Sequence, residues 1–556
     1  MHISDRVRGL LKKRGVETDA AIAAFLAPDF SAHTHDPFLL TSMDHAVARV
    51  LSAVERKERI AIYADFDCDG IPGAALLHDF FSKIAYNNIE IYLPHRDREG
   101  YGFHRGAIDE LKTRGVSLII TVDVGTTALD SVRHASDIGI DCVLTDHHEI
   151  TGELPDAIAL LNPKRGAYPF ADLCGAAVAF KLVQALIAEG KRKHPDRFRA
   201  ITPGWEKWLL DMVAIATVAD MVPLVDENRV LAYWGITVLR KSGRPGIRAL
   251  CNRLRLRQAE LTEEDIGFSI APRINAASRM DEPDLAFKLL TTRDYSEAEI
   301  LAAHLEELNA SRKGVVSAIV REARKRVRER YAENEAIVVL GNPEWKPSLL
   351  GLAANSLVGD RGGVVCLWGR DALGRIKGSC RSDGSFSVVE LFSGASHAFE
   401  EFGGHRASGG FTVATEHVHT LPDVLAKAAR TVSKRDIARA DAHDALITVN
   451  EMDTPLFREI SVLAPFGVGN PKPIFRLTRL KISSMRRFGK EGNHIEMSLL
   501  CTETGKEARA FDFFRTPDDF TLAPHADTEA AVLGTVERDS FRGGFALRLV
   551  DVLPAA

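Results

Sequence analysis

Acidic residues recur in this 556-residue chain at the points where apolar, β-branched runs stop. The run from Ile60 to Ala64 leads into Asp65-Phe66-Asp67-Cys68-Asp69-Gly70, and the run from Leu118 to Val122 leads into Asp123. Cys142 to Thr145 leads into Asp146-His147-His148-Glu149, and the stretch VAIATVA leads into Asp220. Read as strands of one parallel sheet, these runs place their last residues together, because ligands bind an open sheet beyond the carboxyl ends of its strands. Asp65, Asp67, Asp69, Asp123, His147, His148 and Asp220 then meet in one small volume. So many carboxylates cannot stay ionised side by side, since like charges at short range raise one another's pKa. Bound divalent cations remove that conflict, and oxygen ligands with an imidazole suit Mn2+ or Mg2+ better than a structural zinc site. A single aspartate after a strand is usually a helix cap or a turn residue. It is the recurrence at four element ends that points to metal.

The elements that must position these groups form an α/β pattern from about Arg59 to Asp220, strands alternating with helix-length segments, which implies right-handed crossovers and a mostly parallel sheet. Residues 1–50 read as helical padding for this sheet. Residues 296–331 contain no proline and one glycine, Gly314, and read as a long helix with a possible break there; its second half is rich in arginine. A second α/β pattern begins near Glu335. From about Ala445 strand-like runs dominate, which suits a small barrel such as an OB-fold.

Bulk properties set only outer limits. A net charge of −5 excludes a protein that coats nucleic acid by overall positive charge, but not one with a local basic groove. The seven cysteines include no Cys-x-x-Cys pair, which fits free thiols in a reducing cytoplasm. The opening MHISDRVRGLLKKRGVETDA lacks the apolar core of a signal peptide, and no run approaches the ~18 apolar residues of a membrane span. A cytoplasmic, multidomain protein without a membrane segment is expected.

DFDCDG, TVDVG, TDHHE and VADMVPL, in this order and spacing, resemble the motifs of the DHH phosphoesterase superfamily, and GGHRASGG resembles the glycine-rich motif of its companion DHHA1 domain. HRDREGYGF, PRINAASRM and PFGVGNPKPIF resemble the RecJ branch of that superfamily. The resemblance implies an N-terminal helical segment (1–50), a DHH catalytic domain (51–295), a connector helix (296–333), a smaller α/β DHHA1 domain (334–440) and a nucleic-acid-binding OB-fold (441–556). By the same resemblance Asp67 and Asp123, with Asp65 a further ligand, would hold one metal ion, and Asp69, Asp123, His147 and Asp220 a second. Asp146 would orient the site and His148 would face the substrate phosphate. The pKa of a water shared by two ions about 4 Å apart falls, which suits attack on a phosphodiester.

The branch implies a single-stranded-DNA-specific exonuclease that releases mononucleotides from the 5′ end during DNA repair and recombination, acting as a monomer with a single-strand-binding protein and a helicase as partners. Recognition of a 5′-phosphate calls for a fork of arginines and small donors, and the resemblance assigns it to Arg96, Arg279, Ser379 and Arg381. Tyr101 is a candidate for stacking on a base and His405 for meeting the strand backbone. In the tail, Arg486, Arg487, Phe488, Lys490, Phe511, Phe513 and Phe514 offer basic and aromatic groups for a single strand. The chain departs from the family pattern at Ser278, where glycine is usual, and at Lys346, Ser348 and Ser356, where a His-x-Gly segment and an arginine are usual. Two other readings compete: a DHH phosphodiesterase of short oligonucleotides or cyclic dinucleotides, and a DNA-binding relative without catalysis.

Overall fold

The computed structural model describes residues 3–332, 335–434, 443–489, 492–539 and 542–555. The expected domain boundaries at 333/334 and 440/441 fall outside these, as does Lys490. Two compact units emerge, residues 35–222 with 234–438, and residues 1–34 with 223–233 and 439–556.

In the larger unit β1 (Arg59–Ala64), β2 (Ile89–Tyr92), β3 (Val116–Val122), β4 (Asp141–Thr145) and β5 (Ala159–Leu161) form a parallel sheet of order β2-β1-β3-β4-β5. From Ile60 to Ala64, β1 is wholly buried, as expected of a strand covered on both faces. The helices Gly70–Lys83 and Gly175–Lys193 pack on one face of the sheet, and Arg105–Thr113 and Leu129–Asp137 on the other. The order reverses between β1 and β3, so the crevice of the sheet opens where those two strands end. Glycine is required where the first helix leaves this crevice: a Cβ on Gly70 would lie 2.2 Å from the Asp65 carbonyl oxygen.

VAIATVA is not a strand. Residues Leu210–Ala219 form a helix, and Asp220 is its C-cap. A short run that is apolar all round carries no period to separate a buried helix from a buried strand, and every residue from Leu210 to Thr217 is buried.

The helix Tyr295–Arg330 runs 36 residues without a break, started by the Asp294 carboxylate, which accepts from the Glu297 amide. Gly314 stays helical, because packing against Ala271–Arg279 on one half and Pro347–Arg361 on the other outweighs a cost of about 1 kcal/mol. Two arginines of its second half are spent on local partners: Arg324 pairs with Asp360 and Arg326 with Glu322. The same unit holds a second sheet of β6 (Ile337–Gly341), β7 (Val364–Arg370), β8 (Ile376–Ser382), β9 (Phe399–Gly404) and β10 (Ser408–Val413), in the order β6-β7-β8-β10-β9. Only β6 and β7 are parallel among these pairs.

In the smaller unit β11 (Ala445–Leu446) edges a barrel of β12 (Phe475–Phe488), β13 (His494–Cys501), β14 (Glu507–Asp512), β15 (Glu529–Arg538) and β16 (Phe545–Pro554). It closes because the 14-residue β12 pairs with β15 through its first half and with β13 through its second. A bulge within β12, where its register with β15 shifts between Leu477 and Leu480, includes Arg479, whose φ is +57°. The helices Asp5–Lys12 and Asp19–Leu26 belong to this unit and bury Val7, Leu10, Leu11, Ile22 and Leu26 with Leu463. The first 34 residues therefore do not pad the parallel sheet as expected. The helix Met43–Arg56 does, packing beside Gly175–Lys193 and β5.

Candidate metal centre and phosphate pocket

Three carboxylates of the centre, those of Asp67, Asp69 and Asp146, are held by backbone amides. The Asp67 carboxylate accepts from the amides of Asp69, at 2.8 Å, and Gly70, at 3.2 Å, and so caps the first turn of Gly70–Lys83. Asp69 accepts from the amides of Gly175 (2.6 Å) and Ala176 (2.7 Å), at the N-terminus of the 19-residue helix Gly175–Lys193, whose dipole favours an anion there. Gly175 allows this approach, since a Cβ would fall 2.6 Å from that of Asp123. Asp123 takes φ = +61°, a strained backbone for a residue other than glycine. Asp146 accepts from the amides of Thr126 (2.7 Å) and His147 (2.8 Å) and pairs with His148 Nδ1 at 2.8 Å.

Three overlapping groups of potential ligand atoms result, the atoms of each within 4.8 Å of one another: Asp65, Asp67 and Asp123 in one, Asp69, His147 and Asp220 in another, and Asp123, His147 and His148 between them. Asp123 links them, its Oδ1 lying 3.1 Å from His147 Nε2, which is also 3.6 Å from both Asp69 and Asp220. Burial and crowding push Asp65 and Asp123 well above the usual carboxylate range, Asp69 to about 7 and Asp220 to about 8. Burial and the neighbouring His148 lower His147 to about 4, which keeps it neutral and able to ligate. His148 rises to about 9: burial opposes its charge, but the bond to Asp146 outweighs it. Asp146 in turn is held low against burial by His148 and Thr126. Asp65 Oδ1 is buried and accepts no hydrogen bond among the described residues. Oxygen donors, one neutral imidazole and carboxylates that resist ionisation side by side fit divalent cations.

Arginines gather nearby. The Arg96 guanidinium lies over the Phe66 ring, 4.6 Å from its centroid. Arg279 Nη1 donates to the Ser348 carbonyl at 2.5 Å, and Arg381 Nη1 donates to Ser379 Oγ at 2.9 Å. Ser379 and Arg381 share one face of β8 through its two-residue period, with Cys380 buried on the other. Burial pushes the Arg279 pKa well below its ordinary value, and Arg96, Arg312 and Arg381 push it further. No ion pair of Arg96, Arg279 or Arg381 occurs among the described residues, so the cluster is electrostatically prepared for an anion. Arg312, on the long helix, carries no sequence motif that would have marked it, and the same is true of Gly175; Asn275, which accepts from the Cys68 amide at 3.0 Å, lies within PRINAASRM but was not among the expected site residues.

Tyr101 points its hydroxyl at His148, 3.2 Å from Nδ1, and is half exposed. His405 is exposed in the β9–β10 turn, where its amide donates to the Ser408 carbonyl, and its charge bears on Glu149 of TDHHE. Ser278 is buried, Ser348 Oγ donates to the Arg279 carbonyl at 3.1 Å, and Lys346 pairs with Asp97 and Asp281. Nothing in the structure explains Ser356. On the barrel, Phe488, Phe511, Phe513 and Phe514 lie outside the buried core, and Arg509 and Arg548 stack on Phe511 and Phe513, each 4.8 Å from the ring centroid. Arg486 shares Glu496 with Arg509 and Arg542, whereas Arg487 is exposed and donates to the Gly492 carbonyl.

Residues 59–217 match the profile of the DHH family N-terminal domain, and residues 443–550 that of the RecJ OB domain. The single-stranded-DNA-specific exonuclease RecJ of Bacillus subtilis is 36% identical over 504 residues, 90% of this chain, which spans 62% of that relative's length. Its counterpart in Haemophilus influenzae is 30% identical over 93% of this chain and 91% of its own. Among solved structures, RecJ of Thermus thermophilus in complex with Mn2+ superposes with a TM-score of 0.79 at 26% identity, over all of this chain and 79% of that one. No described helix is long and apolar enough to cross a membrane.

Proposed function

The chain belongs to the RecJ family of single-stranded-DNA-specific exonucleases, and from that membership we infer that it hydrolyses single-stranded DNA from the 5′ end, one nucleotide at a time, with two divalent cations, Mn2+ or Mg2+. One observation carries the reading: ligand groups joined through Asp123 stand beside a cluster of buried arginines that make no direct ion pair among the described residues. The ligand groups with their ions would hold the reactive phosphodiester, and the arginines the terminal phosphate.

Asp67 and Asp123, with Asp65, would hold one ion; Asp69, Asp123, His147 and Asp220 would hold the other. Cations bound there supply a water of lowered pKa and offset charge on the phosphate oxygens. The chain's own groups do the rest. Asp146 fixes the backbone that presents both histidines. His148 keeps its proton on Nδ1 toward Asp146, which leaves Nε2–H for a phosphate oxygen. Tyr101 orients the strand, and His405 with its flanking glycines meets the backbone. Arg96, Arg279, Arg381 and Ser379 grip the 5′-phosphate through charge-assisted bonds.

The barrel holds the following strand through its exposed aromatics and arginines. The division into a helical segment, DHH domain, connector, DHHA1 domain and OB-fold belongs to the same proposal, as do a cytoplasmic setting, action as a monomer, and work in repair and recombination behind a helicase and beside a single-strand-binding protein. A nuclease confined to single strands needs a source of them. The test is hydrolysis of 5′-phosphorylated single strands, duplexes and linear or cyclic dinucleotides in Mn2+ and in EDTA. Turnover of long single strands that EDTA abolishes is expected. Preferred turnover of dinucleotides would replace this reading with that of a short-substrate phosphodiesterase.

A further inference from the structure

Lys346 stands just before the helix Pro347–Arg361, as its N-cap. Its ammonium lies 2.6 Å from Asp281 and 3.3 Å from Asp97. Asp97 follows Arg96 directly, and Asp281 stands two residues past Arg279. All three arginines of the pocket are thus referred to the first turns of one helix. Arg279 exchanges two bonds with Ser348. Arg381 passes over Gly351, where a Cβ would come within 2.6 Å of Nη2. Arg96 is tied in through Asp97 and Lys346.

The two carboxylates matter because of where they stand. Each is an anion beside a pocket that must attract another anion, and Asp97 is mostly buried, so solvent screens it poorly. An ammonium, as a compact point charge on a flexible stem, can meet both carboxylates at once. His95 Nε2, 3.6 Å from Asp281, is the other cationic candidate within reach.

We propose that Lys346 is a positioning residue for recognition of the 5′-terminal phosphate: it offsets Asp97 and Asp281 and so leaves the charge of Arg96, Arg279 and Arg381 to the substrate. This rests on the phosphate-pocket reading above. It gives the lysine a role in end selection without contact to DNA.

The test compares kcat/KM on 5′-phosphorylated and 5′-hydroxyl single strands for the full-length, Mn2+-loaded enzyme and for K346M and K346M/D281N. In K346M the ratio of the two falls about tenfold, through KM for the phosphorylated strand, the scale of one charge interaction across the pocket at an effective dielectric near ~20. Removing the uncompensated carboxylate in K346M/D281N restores a large part of the ratio. A K346M ratio equal to wild type overturns the proposal. So does an equal loss on both strands that D281N does not relieve, which marks a lysine that serves only folding; thermal unfolding of each variant reads that directly. A wild-type enzyme indifferent to the 5′-phosphate overturns the pocket reading along with this one, whereas wild-type preference that survives in K346M overturns the lysine's role alone.

Discussion

Arg279→Gln separates a phosphate-binding arginine from a structural one. In the free protein Arg279 is crowded by Arg96, Arg312 and Arg381, and burial adds to the cost of its charge. One of its five N–H groups is spent on the Ser348 carbonyl, a bond that the glutamine amide can keep. Removing the charge therefore relieves repulsion, and the variant should unfold at the same temperature as wild type or higher, as expected where function is maintained at the expense of stability. The substrate sees the opposite. A charge-assisted bond to a phosphate is worth about 1.5–3 kcal/mol, so kcat/KM on 5′-phosphorylated strands should fall roughly 10- to 150-fold. Strands with a 5′-hydroxyl should lose far less. The assay is steady-state hydrolysis of the two oligonucleotides at fixed salt and Mn2+, with thermal unfolding run in parallel. A lower unfolding temperature with equal losses on both substrates would refute the reasoning, because it would make the bond to Ser348 the purpose of the residue.

Three further outcomes follow from other parts of the molecule. Asp123→Asn should cost about 10³-fold or more in kcat, since it removes the carboxylate that belongs to the Asp65–Asp67 group and also lies against His147 of the other; in EDTA it should raise the unfolding temperature by relieving the crowded carboxylates, and Mn2+ should stabilise it less than wild type. On the barrel, Phe514→Ala should weaken binding of long strands by about 1–3 kcal/mol with little change in salt dependence, while Arg487→Gln should lower the salt slope by about one; titrations across a salt series distinguish the two. Arg244 is buried between Asp79 (2.6 Å) and Asp211 (2.7 Å), so Arg244→Met should destabilise by about 3–5 kcal/mol in denaturant unfolding. Asp79 is held low by His78, Arg244 and Arg293 despite its burial; its contribution is complete above its unfolded pKa of about 3.9 and is lost as pH falls through the folded value, so wild-type stability should drop more steeply in that acid range than that of the variant.

The candidate metal centre was legible because three of its four segments close strands of one sheet, and the order of that sheet puts the ends of β1, β3 and β4 side by side. Asp220 was found through its motif although its element was misread, since the apolar run before it has no period. The long helix was legible from composition, but its continuity through Gly314 depends on packing at both halves. What stayed hidden lies in contacts distant along the chain. Nothing local in residues 5–26 indicates that Leu10 and Leu11 share a core with Leu463. Nothing in the string GAAV announces that its first two amides receive the Asp69 carboxylate. The arginine cluster is likewise a fact of three dimensions: each arginine alone looks like a surface residue, and only their buried convergence, with no direct ion pair among the described residues, marks a pocket.

The most direct test of 5′-end hydrolysis is the product pattern from single strands labelled at the 5′ end, labelled at the 3′ end, or closed into circles, each incubated with the enzyme and Mn2+. The account predicts release of the 5′ label as a mononucleotide at the earliest times, a descending ladder from the 3′-labelled strand, and intact circles. Linearised circles, or a ladder that shortens the 5′-labelled strand from its other end, would contradict it.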